Sequence, residues 1–353
     1  MLRNLAFSVF SLLLFSQCTQ EKPDIRVVCE TIPSGCYKIK WETFPPMKGA
    51  VKIYESSRPD SFDLSFPIAE VDISRGFKDV FFVHSSKRSY FNLVFNKKHS
   101  VITAERIIPM QGLFNFRDFG GYYNVDGKQI CWGKMYRSSS LAYATLQDVN
   151  FLKNLDIRTI IDFRTDEERN EAPSRYYGIQ TFNFPLSGKP DNIFFDAILS
   201  KKMKQGDAKI YSQDMFIFLL RNNFDYFTKM FDILLDTNNY PLIIYCSMGG
   251  FRSSVASALI LAALDIDMDQ IINDYMLTNE QVNFNELLPR DNIFMEDQEI
   301  QETFTVMLRA HKSTITYSFD EIIKEHGSLD NYFTNGFNLT RQKREKLKEI
   351  LFY

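Results

Sequence analysis

The stretch that decides the fold runs Leu242-Ile-Ile-Tyr-Cys246-Ser-Met-Gly-Gly-Phe-Arg252-Ser253. Its first four residues form an apolar run that ends at a cysteine, and residues 253–264 are apolar almost all round. This order predicts a buried parallel strand, a glycine-containing turn and a buried helix. Since ligands bind beyond the carboxyl ends of parallel strands, we expect Cys246 to lie in a ligand site.

The spacing from Cys246 to Arg252 is suited to binding phosphate. The two glycines of the turn allow its backbone N–H groups to point toward one anion. The N-terminus of the next helix adds positive partial charge, which favours both a bound anion and the thiolate form of the cysteine. The planar guanidinium of Arg252 can hold two phosphate oxygens. We therefore predict that Cys246 attacks phosphorus, that a phosphocysteine forms, and that water hydrolyses it.

The remaining loop residues are predicted to hold the phosphate, and Ser253 is expected to donate a hydrogen bond that eases departure of the thiolate. The predicted phosphate-binding residues are Ser247, Met248, Gly249, Gly250, Phe251 and Ser253. The four histidines and five cysteines of the chain form neither an H-E-x-x-H nor a C-x-x-C spacing. We therefore predict no metal and no cofactor.

The C-terminal part of the chain has the pattern of an α/β domain. Residues 155–161 form a second near-continuous apolar run, which predicts another buried parallel strand. Helices are predicted to begin at Thr145 and at Ser212, the second of them continuing to about residue 234, and more helices follow residue 268. For residues 109–353 we predict a central, mostly parallel sheet flanked by helices.

Residues 26–108 have a different rhythm. Seven short runs rich in β-forming residues are separated by turn residues, and no helical pattern interrupts them. This predicts an antiparallel all-β sandwich. The runs that contain Lys38-Ile-Lys-Trp41, Lys52-Ile-Tyr54 and Tyr90-Phe-Asn-Leu93 resemble strands of a fibronectin type III domain. We interpret this part as a spacer or interaction module.

Residues 1–18 are predicted to be a signal peptide, followed by a linker over 19–25. Arg3 precedes an apolar run over residues 5–15, which is too short to span a bilayer comfortably. The cysteine at the end, Cys18, resembles the acylated residue of a bacterial lipoprotein, and the alternative is an ordinary cleaved signal. Either way we expect an exported protein of a bacterial envelope, periplasmic or on the cell surface. A lipid anchor at Cys18 would be its only membrane contact.

Composition excludes some classes of partner. The formal net charge of the 353 residues is −3, so no overall basic field exists to attract nucleic acid. Cys29 and Cys36 flank a turn, and in an exported protein they form either a disulfide bridge or two unpaired thiols. The sequence predicts no particular oligomeric state.

Further motifs resemble those of the atypical bacterial tyrosine/serine phosphatase family. The family pattern N-F-R-D-L-G-G, G-x-x-Y-R-S, D-L-R and H-C-x-x-G-K-D-R-T-G corresponds, in order, to residues 115–121, 133–138, 162–164 and 245–254. The resemblance covers about residues 110–350. It implies a phosphatase that acts on a phosphorylated protein or a small phosphomonoester, and it implies accessory roles for four residues of these motifs. They are Arg117, Asp118, Arg137 and Arg164.

The loop departs from the family pattern. Tyr245 replaces the usual His, Gly250 and Phe251 replace Lys-Asp, and Ser254 replaces Gly. The Asp of the family loop is a proposed general acid, and a phenylalanine cannot perform that role. Loss of a general acid costs about 10²–10⁴ in rate.

Another carboxyl group is therefore predicted to donate the proton. Asp162 is the first candidate, because its strand is expected to end at the same edge of the sheet as Cys246. Asp118 is the second candidate. Since a phenol leaves with less need of a proton than an alcohol does, the altered loop favours aryl phosphates such as phosphotyrosine.

These observations predict an exported cysteine-dependent phosphatase that hydrolyses phosphomonoesters. The altered loop leaves an alternative, in which a degenerate phosphatase serves as a surface module that binds phosphate or protein without turnover. A sulfur-transfer enzyme would also use a cysteine-led loop. Arg252, six positions after Cys246, and the other motifs favour a phosphatase over a sulfur-transfer enzyme.

Overall fold

The computed structural model describes residues 23–33, 35–81, 87–186, 196–283 and 296–353. The predicted signal peptide and the predicted lipidation site at Cys18 lie outside the described residues. Within the described ranges, no helix is long and apolar enough to cross a membrane.

Seven strands form the N-terminal part. β1, β2 and β5 make a three-stranded antiparallel sheet in the order β1-β2-β5, and the other four make a second antiparallel sheet in the order β4-β3-β6-β7. Alternate residues of both sheets, among them Trp41, Ile53 and Phe91, meet in one hydrophobic cluster. The strands are β1 Asp24–Ile32, β2 Cys36–Phe44, β3 Ala50–Ser56, β4 Ala69–Asp72, β5 Phe77–Phe81, β6 Tyr90–Phe95 and β7 His99–Ala104.

Cys29 and Cys36 are unpaired, which decides between the two alternatives that the sequence left open. In the β1–β2 ladder Cys29 lies opposite Ile39, whereas Cys36 lies opposite Ile32. The two cysteines are therefore three residues out of register. At about 3.3 Å per residue they stand too far apart, and on opposite faces of the sheet, for a disulfide bridge.

The C-terminal part contains a five-stranded sheet in the order β11-β10-β12-β9-β8. β9 to β12 are parallel to one another, and β8 is antiparallel to β9 at the edge. The mixed sheet agrees with the predicted mostly parallel core. Its strands are β8 Arg117–Asp118, β9 Met135–Ser138, β10 Thr159–Asp162, β11 Gln180–Asn183 and β12 Leu242–Tyr245.

Helices cover both faces of this sheet. Side chains of β12 alternate between two hydrophobic clusters, since Ile244 joins one cluster with α3–α6 and α9–α11, whereas Ile243 joins the other with α1. α5 lies in the centre, and every residue from Ser253 to Ala263 is buried. The helices are α1 Leu146–Asn154, α2 Asp166–Glu171, α3 Gln205–Asn222, α4 Phe224–Leu234, α5 Arg252–Ala263, α6 Met268–Met276, α7 Thr278–Gln281, α8 Gln298–Leu308, α9 Lys312–His326, α10 Leu329–Phe337 and α11 Arg341–Leu351.

Buried polar contacts join the two parts of the chain. Arg88, just before β6, donates to the Asp118 carboxylate of β8 over 2.5 Å, and both side chains are almost fully buried. The Tyr90 and Tyr136 hydroxyls are 3.1 Å apart, and the indole N–H of Trp132 donates to a carbonyl of β7 over 3.0 Å. These contacts fix the N-terminal sheets against the outer strand pair of the five-stranded sheet.

Candidate active site

Cys246 directly follows β12, and the loop that it begins leads into α5. The thiol is buried, and its Sγ lies 3.4 Å from the Ser253 Oγ. This contact puts the two residues where the sequence predicts a nucleophile and a hydroxyl that can hydrogen-bond to it. α5 starts at Arg252, so the positive end of the helix faces the loop.

The turn of the loop depends on Gly249. Its φ is +64°, a conformation that favours glycine, and a Cβ there would lie 2.9 Å from the Ser138 carbonyl oxygen. The Gly249 carbonyl accepts hydrogen bonds from the Asn115 amide over 2.7 Å and from the Arg137 guanidinium over 2.8 Å. Asn115 and Arg137, which belong to the family-like motifs, therefore hold the loop in place through its Gly249 carbonyl.

The guanidinium of Arg252 is held by a carboxylate. Its two terminal nitrogens donate to the two Glu168 oxygens over 2.6 Å each, and one of them also donates to the Ser247 hydroxyl over 3.1 Å. The Ser247 hydroxyl donates to Glu168 in turn. Burial alone would raise the pKa of Glu168, but the hydrogen bonds and charge of Arg252 lower it to about 2. Glu168 is thus ionised near neutral pH. It holds the Arg252 guanidinium in place and has no proton to donate.

A buried charged cluster lies beneath the loop. Asp274 of α6 accepts from Arg117 over 3.0 Å and from Arg137 over 3.1 Å, so one carboxylate serves two guanidiniums. Burial alone would raise the pKa of Asp274, but Arg117 and Arg137 hold it well below its usual range. Burial, followed by the like charge of Arg117, lowers the pKa of Arg137 to about 10, and the charge of Cys246 opposes this change. The cluster therefore places net positive charge close to the sulfur.

Asp162 lies at the end of β10, opposite Tyr245 in the neighbouring strand. Its carboxylate accepts from Arg164 over 2.9 Å and from the Tyr245 hydroxyl over 2.6 Å. Tyr245 and Cys246 belong to hydrophobic clusters on opposite faces of the sheet. The described contacts of Asp162 therefore join it to its own ion pair rather than to the loop, and its role as proton donor stays a prediction.

The other predicted residues are distributed around the site. Asp118 binds Arg88 of the N-terminal part and accepts from the backbone N–H groups of Gly120 and Gly133. Met248 packs against the hydrophobic cluster of α3 and α8. A Cβ at Gly250 would meet no atom within 4 Å, and Phe251 is half-buried just before α5.

Three residues to which the sequence alone gave no role contribute directly to this arrangement. They are Glu168, which holds Arg252, and Asn115 and Asp274, which support the loop. Asn115 lies inside the family-like motif of residues 115–121, which was the available signal for it, whereas no local spacing connects Glu168 or Asp274 to the cysteine. Among the described residues, no group of three or more His, Cys, Asp or Glu side chains is placed to hold a metal ion.

Comparison with known proteins agrees with this geometry. Residues 108–353 match the model of a family described as the tyrosine phosphatase family. A Cupriavidus necator protein named "Putative tyrosine-protein phosphatase" is 23% identical over 231 residues, which cover 64% of this chain and 82% of that protein.

Two solved structures were also matched. The core catalytic domain of the PP-IP phosphatase Siw14 from S. cerevisiae is 16% identical with a TM-score of 0.27, and the match covers 63% of this chain and 96% of that one. P. aeruginosa TpbA in complex with pTyr is 10% identical with a TM-score of 0.22, covering 54% and 88% of the respective chains.

Proposed function

We propose, because this chain belongs to the tyrosine phosphatase family, that it hydrolyses phosphotyrosine through a phosphocysteine formed on Cys246. The chain is a protein-tyrosine-phosphatase-like hydrolase. The observation that carries the finer proposal is the loop itself, in which the buried thiol faces Ser253 and Arg252 is already oriented by Glu168.

The chemistry follows from these positions. The Cys246 thiolate attacks phosphorus, an S–P bond forms, and the P–O bond to the leaving group breaks with its electron pair on that oxygen. Arg252 and the N–H groups of the loop stabilise the charge on the transferring oxygens. Water then attacks phosphorus and the S–P bond breaks. The thiolate departs toward the Ser253 hydroxyl, 3.4 Å away, which can donate to it.

An aryl ester suits this site best. A phenolate is a better leaving group than an alkoxide, so the first step depends less on a general acid. In the described residues Glu168 is held ionised, and Asp162 is bound to Arg164 and Tyr245. These contacts support phosphotyrosine over phosphoserine as the substrate class.

The test compares kcat/KM for a phosphotyrosine peptide and for the same peptide with phosphoserine. We expect a clear preference for phosphotyrosine, and equal values would contradict the proposed substrate class.

The Asp162→Asn variant tests whether Asp162 is the proton donor. If Asp162 donates the proton, hydrolysis of an alkyl phosphate falls by about 10²–10⁴ while an aryl phosphate suffers less. Unchanged turnover of the alkyl phosphate would exclude that role. A uniform fall for both esters would indicate structural damage instead.

We propose that the N-terminal part is a fibronectin type III-like sandwich and that the protein is exported as a lipoprotein. The sandwich proposal is supported by seven strands in antiparallel sheets of three and four strands over a shared core. The export proposal is supported by the sequence of residues 1–18 alone. Metabolic labelling with a fatty acid tests it. Label should enter the natural chain and should be absent from the Cys18→Ala variant, and an unlabelled natural chain would contradict lipidation.

The degenerate-phosphatase alternative rests on Gly250 and Phe251, where the family has Lys-Asp. Phosphate or vanadate that raises the melting temperature of a chain without turnover would favour it.

A further inference from the structure

A cavity of about 1130 Å³ lies between the sandwich and the catalytic domain. Lys134, Arg158 and Pro241 line it, and they immediately precede β9, β10 and β12. The cavity is therefore at the amino ends of the parallel strands. Cys246 follows the carboxyl end of β12, so the cavity and the catalytic loop lie at opposite edges of the sheet.

The cavity is positively charged, although the whole chain has a net charge of −3. Six basic side chains and two carboxylates line it. Arg58 is paired with Asp60, whereas Lys153 and Arg158 are exposed and make no ion pair with the described residues. Basic side chains clustered in a cleft with apolar walls attract anions. The lining cations are Arg58, Lys87, Arg88, Lys134, Lys153 and Arg158, and the lining carboxylates are Asp60 and Asp156.

Aromatic side chains line part of the cavity. Trp132 is 4% exposed, and its indole N–H is fixed by a 3.0 Å hydrogen bond to the Ile102 carbonyl. Tyr90, Tyr176 and Tyr240 also line the cavity and are buried. Aromatic walls with a few polar groups, at a boundary between two parts of a protein, are the usual composition of a ligand site.

Arg88 adds an independent observation. Its side chain lines the cavity and is 7% exposed, and its terminal nitrogens are bound to Asp118 and to a backbone carbonyl. The remaining donor, Nε, has no acceptor in the described part of the chain. A buried donor without a partner is uncommon, and an oxygen atom of a ligand or of water would satisfy it.

We propose that this cavity is a second binding site, separate from the catalytic loop, for an anionic ligand that carries an aromatic ring. The acidic group would contact Lys134, Lys153 and Arg158, and the ring would lie against the aromatic side chains that line the cavity. The volume exceeds the usual range of small-molecule pockets, so a ligand of that size fits whole. Because the site is formed by both domains, a bound ligand stabilises their contact.

The experiment uses 8-anilinonaphthalene-1-sulfonate, an aromatic anion whose fluorescence rises on binding, and the Cys246→Ser chain, so that turnover plays no part. We expect saturable binding. The Lys153→Glu/Arg158→Glu variant should raise the Kd at least tenfold, and Lys153→Gln/Arg158→Gln should raise it by less. The matched control is Lys209→Glu/Lys312→Glu, which makes the same charge change on α3 and α9 and should leave the Kd unchanged. Equal melting temperatures establish that the variants are folded.

Two results would overturn the proposal. One is a Kd that is the same in the Lys153/Arg158 variants as in the parent chain, or no saturable binding at all. The other is loss of binding in Arg252→Met, since the probe would then occupy the catalytic loop. Neither result depends on phosphatase activity, so failure of this proposal and failure of the proposed function are distinguishable.

Discussion

Single residues determine how Arg252 is presented to a substrate. Glu168 binds both terminal nitrogens of the guanidinium, and Ser247 contacts one of them. The plane of the guanidinium is therefore fixed across the loop before phosphate arrives. A donor that is already oriented stabilises transition-state charge without reorganising during the reaction.

The first prediction concerns the ion pair between Glu168 and Arg252. In Glu168→Gln the bidentate ion pair is lost, and the guanidinium of Arg252 is held less firmly by its remaining contacts, among them those to Ser247 and to the Phe163 carbonyl. We expect kcat/KM for p-nitrophenyl phosphate to fall by about 10², as expected for a displaced catalytic group. The control is Glu167→Gln, because the neighbouring side chain is exposed and should leave kcat/KM unchanged. A Glu168→Gln enzyme within twofold of the parent would contradict the assigned role.

The second prediction is the pH dependence of stability. The pKa of Glu168 is lowered to about 2 in the folded chain from 4.5, its ordinary value. A lowered pKa contributes stability that is fully present above pH 4.5 and is lost as the pH falls toward 2. The difference in free energy of unfolding between the parent and Glu168→Gln should therefore shrink over that interval. Urea denaturation at several pH values measures it, and a difference that stays constant would count against the ion pair.

Sequence reasoning singled out Cys246 and Arg252 because their spacing is local. Cys246 and Arg252 lie six positions apart on one strand–turn–helix unit, so their chemistry can be read directly from the chain. Glu168 reaches Arg252 from α2, 84 positions away in sequence. Such a contact depends on how the strands are ordered in the sheet, and no local pattern encodes that order.

At the scale of secondary-structure elements, α6 and the β8–β9 pair support the loop through Asp274. The carboxylate bridges Arg117 of β8 and Arg137 of β9, and Arg137 extends to the Gly249 carbonyl. Helix, strand pair and loop are thus held together by one buried group. This arrangement accounts for the motif arginines without placing them on the substrate.

The third prediction removes that group. Asp274→Asn leaves two buried guanidiniums without their carboxylate, so we expect the free energy of unfolding to fall by about 3–5 kcal/mol. Asp269→Asn on the same helix is the control, since an exposed carboxylate in the first turn of a helix contributes at most about 1 kcal/mol. Equal effects of the two variants in urea denaturation would contradict the bridging role.

Helix boundaries show where element-level prediction fails. Ser212 was expected to begin a helix that continues to about residue 234, but it lies inside α3, and a second helix begins after Asn223. The Ser212 Oγ lies 3.0 Å from the Ala208 carbonyl oxygen one turn back and 3.0 Å from the Met307 carbonyl oxygen of α8, so its one proton is shared between these two acceptors. A serine can cap a helix or bond back within one, and only tertiary packing decides between these roles.

At the scale of the whole molecule, the N-terminal and C-terminal parts of the chain are joined by a buried ion pair. Arg88 and Asp118 have side chains that are 5% and 0% exposed. The aspartate belongs to the N-F-R-D motif, where the sequence suggested a second proton donor. Its contact with Arg88 places it at the boundary between the two parts of the chain, and its role as proton donor stays a prediction.

The fourth prediction tests that boundary. Arg88→Met leaves the buried Asp118 carboxylate without its ion-pair partner, so the free energy of unfolding should fall by about 3–5 kcal/mol. Arg58→Met breaks an ion pair whose side chains are 67% and 65% exposed, and it should cost less than about 1 kcal/mol. Both variants replace an arginine with methionine, so comparing them by urea denaturation isolates the effect of burial. A small effect of Arg88→Met would mean that this pair does not join the two parts of the chain energetically.

The sequence predicts the division into a β-rich part and an α/β part. Apolar residues alternate with polar ones before residue 108, whereas they form continuous runs in β10 and β12. The contact between the parts has no such signal. In the sequence, Arg88, Tyr90 and Trp132 look like ordinary strand and turn residues. Their contacts between the two parts become visible in the folded structure.

The most direct test of the central claim is the hydrolysis of p-nitrophenyl phosphate by the purified chain in EDTA and reducing agent, beside Cys246→Ser. The thiolate mechanism predicts turnover that persists in EDTA and disappears in the variant. Turnover by Cys246→Ser equal to that of the parent would contradict the assignment of Cys246 as the nucleophile.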